Sequence, residues 1–504
     1  MFFLVVLTRL PLLVTDLLNI DEGVWWMAGK MLAQGAVPYV DFIENKPPGI
    51  FSLYALPHLV GLESLYWMHA LAILWVSATA AAAGKAAGAL SPPRPVLAGR
   101  IAALLYVFLT ATGSPRQYLF FNTETGALLP FVLALWVYAR ARLTGDRPLP
   151  LFLSGMLVAA ACMFRQPIGV AAVLLGLDLV LPSPGARRPP LSILLGAGAF
   201  ALGGIALAAL VAFYLFQIGA LSESIYWIFT VNREHIAMHP SVEFQFRRFA
   251  VNILPSLLIG LPAWAALFWA FPKKWSATTA LQRVYLAYAV LALALFWTAS
   301  LAGRWNGHYY MPVLAPLSIL AAALWCEPGK TARLRVAMGA LALAGIAALA
   351  FSAAGAARSV QGSFEEVSLP MRQAARRIGE LTRDSDKIYI WGFGQTLYYR
   401  SRRMAAGRFI TPYTSISGYL FGAEEAFPGI APQSLIIEDH WRTFMGDLRS
   451  QRPALFLDYA ENDVHNFGRH PIGGFPEMAA WLRENYERLP DEGPVVFYRR
   501  KDLD

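Results

Sequence analysis

Cysteine is nearly absent. The 504 residues hold two, Cys162 and Cys326, both inside apolar stretches, so no disulfide framework braces the chain. Charge is scarce as well: charged side chains make up 15% of the sequence, against about 25% in an average soluble protein. Internal repeats and low-complexity segments beyond Ala-rich runs are missing. The opening segment 2–20 lacks the basic start and the small-residue cleavage site of a removed leader, and reads as a first span or uncleaved anchor.

What the chain has instead is apolar length, with 57% of its residues hydrophobic. Runs approaching the ~20 residues of a bilayer-spanning helix recur. They fall at 2–20, 65–90, 101–112, 126–138, 151–164, 169–181, 191–216, 251–271, 284–301, 311–325 and 336–354, which predicts about eleven spans. The net charge of +9 does not mark a nucleic-acid surface. From Arg358 onward 19 basic residues face 20 acidic ones, and the excess, 23 against 13, belongs to the apolar part.

Fourteen of those 23 basic residues fall in alternate loops: Lys85, Arg94 and Arg100; Arg140, Arg142 and Arg147; Arg187 and Arg188; Lys273, Lys274 and Arg283; Lys330, Arg333 and Arg335. The positive-inside rule makes that side cytoplasmic. The opposite loops, 21–46, 116–124, 165–167, 223–248 and 303–310, are rich in aromatics, carboxylates, His and isolated Arg. By the same count everything after the last span lies outside. The composition there becomes that of a soluble domain, so the chain is expected to divide into residues 1–357 and 358–504. In the second part a helix is expected at 365–381, buried strands at 387–392, 454–457 and 495–498, and a helix at 478–485: a small α/β domain. Gly392-Phe393-Gly394 follows a strand but lacks the rest of a nucleotide-binding fingerprint, and reads as a tight turn.

The outer loops carry the chemistry. Asp21 and Glu22 stand at the exit of the first span; Asp21 is either the cap of a following helix or a general base at the membrane surface. Lys46, stiffened by Pro47-Pro48, is either a snorkelling lysine or a cation set for a lipid phosphate. Arg165, before Gln166-Pro167, and Arg304 with His308, in Gly303-Arg304-Trp305-Asn306-Gly307-His308-Tyr309-Tyr310, are charges at costly positions and fit a phosphate or sugar pocket. Arg116, Asn122 and Glu124 stand at the mouth of a span, as its cap or as a second carboxylate site. Glu234, His235 and His239 offer an i, i+4 His pair that would share a helix face, a candidate for a divalent metal that wants further ligands.

These motifs, in this order and on one side, resemble bacterial polytopic glycosyltransferases of the GT-C fold, relatives of the protein O-mannosyltransferases and of the lipid A aminoarabinose transferase. The resemblance spans the apolar part, and the tail with its KIYIWG strand is similar to the periplasmic α/β domain of many members. It implies a polyprenyl-phosphate-linked sugar donor, transfer on the periplasmic face of the bacterial inner membrane, and a lipid or cell-surface glycan acceptor. Asp21 matches the family's proposed base, with Glu22 beside it, and Lys46 the lysine near the donor phosphate. Arg165, Arg304 and His308 would complete the phosphate site. Glu44, Arg116, Asn122, Glu124, Tyr309 and Tyr310 would line the acceptor or sugar pocket. Some relatives place an acidic residue directly before the lysine; here that position is Asn45, with Glu44 one further back. Protein O-glycosylation is the alternative within the same chemistry. A lipid-linked-oligosaccharide transporter fits less well, for no inverted repeat is present.

Overall fold

The computed structural model describes residues 1–181, 189–271, 279–364, 368–420, 427, 429–490 and 493–503. Among them six helices are long and apolar enough to cross a membrane: Tyr66–Leu90, Thr123–Leu143, Pro190–Gln217, Ala280–Ser300, Gly307–Trp325 and Thr331–Val360. A bent pair, Val242–Asn252 with Leu254–Ala270, makes a seventh if taken as one span. Its 61° bend falls where Pro255 removes an amide donor just inside the second helix. The other expected spans are occupied by the shorter apolar helices Pro95–Leu109, Pro148–Cys162 and Gln166–Val180. Only 17% of the apolar window of Pro190–Gln217 is covered by protein, an uncovered surface that suits lipid and not water.

The expected continuous first span over 2–20 is replaced by two short helices, Phe2–Leu7 and Pro11–Val14. Pro11 interrupts the helix, and Arg9 turns inward at the break, where it donates to the hydroxyls of Thr8 (2.9 Å) and Thr110 (2.8 Å). At one end of the bundle Arg142 and Arg283 both hold Asp178, and Arg142 also reaches Asp146 at 2.7 Å. Arg187, Arg188, Lys273 and Lys274, expected in loops of that side, lie outside the described residues.

The tail carries a five-stranded sheet in the order β2-β1-β3-β5-β4, with β1 Lys387–Trp391, β2 Met404–Ala405, β3 Leu455–Asp458, β4 Tyr486–Arg488 and β5 Val496–Arg500. β1 runs parallel to β2 and β3; β5 runs antiparallel to β3 and β4. The three expected strands are β1, β3 and β5. The expected helices appear as Leu369–Leu381 and Pro476–Asn485, and residues 365–367 lie outside the described ones. Gly392-Phe393-Gly394 is a strand-to-helix turn: Gly392 has φ +142°, which disfavours a side chain, and a Cβ there would meet Tyr459.

Buried apolar side chains of the bundle and of the tail form one continuous cluster. The tail grips the helix Ile20–Ala33. Tyr399 packs edge-on against Trp26 (5.4 Å between centroids) and donates to Asp16 at 2.9 Å, while Arg400 reaches Asp16 at 3.2 Å. From the following loop, the Ile43 amide donates to the Arg408 carbonyl at 2.8 Å.

Candidate active site

The helix Ile20–Ala33 begins with a capping box. Asn19, and not Asp21, is its N-cap: the Asn19 side chain accepts from the Asp21 amide at 2.9 Å, and Glu22 reaches back to the Asn19 amide at 3.2 Å. The Asn19 side chain also donates to the Arg116 carbonyl at 2.7 Å, tying this turn to the loop before Thr123–Leu143. Asp21 is thereby held in the first helical turn and lines a cavity of about 340 Å³. Burial pushes its carboxyl up to about 6; Lys46 opposes that push, and Glu44, Glu124 and Glu22 add to it.

The loop 34–48 brings Glu44, Asn45 and Lys46 to the same cavity. The Tyr39 hydroxyl donates to the Lys46 carbonyl at 2.9 Å, and Pro47-Pro48 lead straight into the helix Gly49–Leu59. The Lys46 ammonium lies 2.5 Å from Asn45 Oδ1 and 3.8 Å from Glu44 Oε1. Glu44 is 4% exposed; burial raises its carboxyl above the usual range, against Lys46, the Asn45 and Lys46 amides and the Trp25 side chain.

The opposite wall comes from two further loops. Arg165 stands between the helix Pro148–Cys162 and a 3-10 turn over Gln166–Gly169. Its Nε lies 3.1 Å from Glu124 Oε1, and its guanidinium sits 4.3 Å from the centre of the Tyr309 ring. Glu124 also accepts from the Thr123 hydroxyl at 2.8 Å. Asn122 caps Thr123–Leu143 by accepting from the Thr125 amide at 2.7 Å, and lines the cavity as well. Arg116 and His308 line it too, the imidazole edge-on to Tyr309 at 4.6 Å.

The tail closes the cavity. Phe393, Thr411, Tyr413, Tyr419 and His465 line it, and so does Asn232 from the helix Val231–Ala237. The Asn232 amide donates to the Asn45 carbonyl at 2.7 Å, the Tyr413 hydroxyl donates to the Ile43 carbonyl at 3.1 Å, and Phe393 packs on Tyr419 at 4.7 Å. Sequence reasoning missed these residues. The one available signal was the glycine-flanked Phe393, an aromatic held on a tight turn after a strand.

Several expected residues lie elsewhere. Glu22 faces away from the cavity and pairs with His69 at 2.8 Å. Arg304 is buried behind the wall. Tyr310 stacks on Trp305 (6.0 Å, 4° between planes), with its hydroxyl 3.0 Å from Ser300 Oγ. The helix carrying His235 ends at Ala237, so exposed His239 does not share its face, and the His235 side chain lies outside the description. Glu234 lines a neighbouring cavity of about 280 Å³. Among the described residues no three His, Cys, Asp or Glu side chains cluster as metal ligands would.

The cavity thus sets a carboxylate poised near neutrality against Lys46, Arg165 and Arg116. That arrangement can take a proton from a hydroxyl and balance negative charge within the same cavity. No protein-family model and no curated protein matches the sequence. Solved structures do. ArnT from Cupriavidus metallidurans, bound to undecaprenyl phosphate, aligns with a TM-score of 0.59 at 13% identity, over 98% of this chain and 96% of that one. The oligosaccharyltransferase AglB from Archaeoglobus fulgidus, in complex with an inhibitory peptide and a dolichol-phosphate, aligns with a TM-score of 0.50 at 10% identity, over 100% of this chain and 74% of that one. A structure of the Archaeoglobus fulgidus oligosaccharyltransferase with Zn and sulfate gives 0.51 at 11% identity, over 99% and 72%. At such identity the likeness concerns architecture, and the architecture of this chain is the GT-C fold.

Proposed function

We propose that this chain is a membrane glycosyltransferase that moves a sugar from a polyprenyl-phosphate donor to a hydroxyl of a lipid or cell-surface glycan. One observation carries the reading: Asp21, its carboxyl raised to about 6, shares one cavity with Lys46 and Arg165. The fold supports it, since solved structures with this architecture hold undecaprenyl phosphate or dolichol-phosphate.

In this reading the acceptor hydroxyl gives its proton to the Asp21 carboxylate as its oxygen attacks the anomeric carbon. The bond from that carbon to the phosphate oxygen breaks, and the electron pair leaves with the phosphate. Lys46 and Arg165 balance the charge that develops there, so a strong general acid is not required. A single displacement of this kind inverts the anomeric centre. In the same reading the cavity and the tail face the periplasmic side of the inner membrane, which the basic residues of the opposite loops support, with residues 1–357 carrying the transfer chemistry and residues 358–504 covering the cavity.

The test is transfer from a panel of undecaprenyl-phosphate-linked hexoses and pentoses by the purified full chain in nanodiscs, with mass spectrometry of the products. Asp21→Asn should abolish transfer while the variant keeps the wild-type elution profile and a single cooperative melting transition. Full activity in Asp21→Asn sinks the assignment of the base.

A further inference from the structure

The residue next to Asp21 is engaged in a buried pair that the transfer chemistry leaves unexplained. Glu22 is fully buried, as is His69 at the start of the helix Tyr66–Leu90. His69 Nε2 lies 2.8 Å from Glu22 Oε1, and His69 Nδ1 lies 3.0 Å from the Leu12 carbonyl oxygen. The second Glu22 oxygen accepts from the Leu18 amide at 2.6 Å and the Asn19 amide at 3.2 Å.

Donor counting decides the protonation of this pair. A carbonyl oxygen can only accept, so Nδ1 carries hydrogen. The Leu18 and Asn19 amides that donate to the other Glu22 oxygen favour the carboxylate form, which places the proton shared by the pair on Nε2. The ring is an imidazolium, and the two charges neutralise each other in a dry site. Asp16, whose own partners are Tyr399 and Arg400, is the other carboxylate acting on His69, and the Tyr66 ring stands 6.0 Å away.

We infer that His69 and Glu22 form a positioning pair for Asp21. The pair pins the two amides preceding the helix that carries Asp21, and it sets the charge next to that carboxylate. Besides Glu22, the charged groups acting on Asp21 are Lys46, Glu44 and Glu124, and Tyr54 and Tyr413 border it. While His69 is charged, the Glu22 anion is compensated. Replacing the imidazolium with a neutral donor uncovers that anion, and replacing the Glu22 carboxylate removes it. The two changes therefore move the Asp21 titration in opposite directions. A merely structural contact would lower activity in both variants without moving the pH profile.

The inference rests on the reading of Asp21 as base, and the experiment separates the two. The pH dependence of kcat for transfer from undecaprenyl-phosphate-linked sugars is measured for the wild type, His69→Gln, Glu22→Gln and Asp21→Asn, all in nanodiscs. The acid limb should move up by roughly 0.5–1 pH unit in His69→Gln and down by a similar amount in Glu22→Gln. Unmoved limbs in both, with Asp21→Asn inactive, overturn the positioning pair and leave the base intact. Activity in Asp21→Asn overturns the base itself. The charge state is also read without turnover, in wild-type protein labelled with 15N-histidine. One of the eight histidines should show both ring nitrogens protonated at pH 8, and eight neutral rings at that pH overturn the pair even if neither variant folds.

Discussion

Gly23 lies directly against Gln395: a Cβ on Gly23 would sit 2.7 Å from the Gln395 carbonyl oxygen. The tail thus touches the helix Ile20–Ala33 two residues from Asp21, at a point where only a hydrogen fits. Gly23→Val must push the helix Gln395–Ser401 away and open the roof of the cavity. The expected cost is about 1–3 kcal/mol, with a lower melting temperature and a larger loss of transfer than Gly379→Val, a helical position with open space around it. A wild-type melting curve for Gly23→Val would show that the junction yields freely.

Because the Asp21 carboxyl is raised to about 6, kcat should fall as pH drops through 6, as the base is protonated. The same shift has the opposite sign for stability. A carboxyl easier to protonate in the folded than in the unfolded chain supports folding fully below about pH 4, and that contribution is lost as pH rises through 6. Asp21→Asn should therefore melt about 1–3 °C higher than wild type at pH 7.5, while the difference vanishes at pH 4. An unchanged or lower melting temperature at pH 7.5 would refute the buried charge.

Arg165 meets Glu124 through Nε and sits over the Tyr309 ring. Arg165→Ala should raise the donor KM about tenfold or more, since a charge-assisted phosphate contact contributes roughly 1.5–3 kcal/mol. Arg165→Lys keeps the charge but loses the guanidinium's fork of donors, so it should recover only part of the affinity. Lys46→Ala should act in the same direction; unchanged KM in both alanine variants removes the proposed phosphate clamp.

Tyr413 links the tail to the loop that carries Lys46 through its hydrogen bond to the Ile43 carbonyl. Tyr413→Phe keeps the ring packed on Trp227, 5.5 Å between centroids, and deletes that bond together with the hydroxyl's hydrogen bonds to Thr411 and the Asn45 backbone. Thermal unfolding should register a loss of about 1 kcal/mol. If loop placement matters for the donor, its KM rises as well; no change in either quantity would make the contact dispensable.

Orientation is open to direct labelling. Single cysteines at the exposed positions Ser363 and Arg147, in a background lacking Cys162 and Cys326, report the two sides of the bundle. A membrane-impermeant maleimide should label Ser363→Cys in intact cells, and Arg147→Cys only after permeabilisation. The reverse pattern inverts the topology.

Hydrophobic run length and charge placement are local properties, and they suffice to read off the apolar helices, the α/β tail with strands β1, β3 and β5, and the loops that bear Asp21, Lys46, Glu124, Arg165 and His308. Those residues meet in one cavity because the helix ends and connections that carry them lie at the same end of the bundle. Composition could not reveal that segment 2–20 breaks at Pro11, since an apolar run looks alike whether straight or folded back. Nor could it separate Asp21 from Glu22. Adjacent residues on a helix point about 100° apart, so one faces the cavity while its neighbour reaches a histidine 47 positions away. Arg304 and Tyr310 carry the same sequence signal as His308 and Tyr309, and only the loop's fold sends two behind the wall and two into the cavity. The roof over Asp21 comes from residues nearly 400 positions downstream, and no local periodicity encodes a contact at that distance. The Asp-Glu-Gly stretch shows both sides of this: its charge was legible in the chain, and its three separate surroundings — the cavity, a buried histidine, the tail — follow from which surface each residue meets in three dimensions.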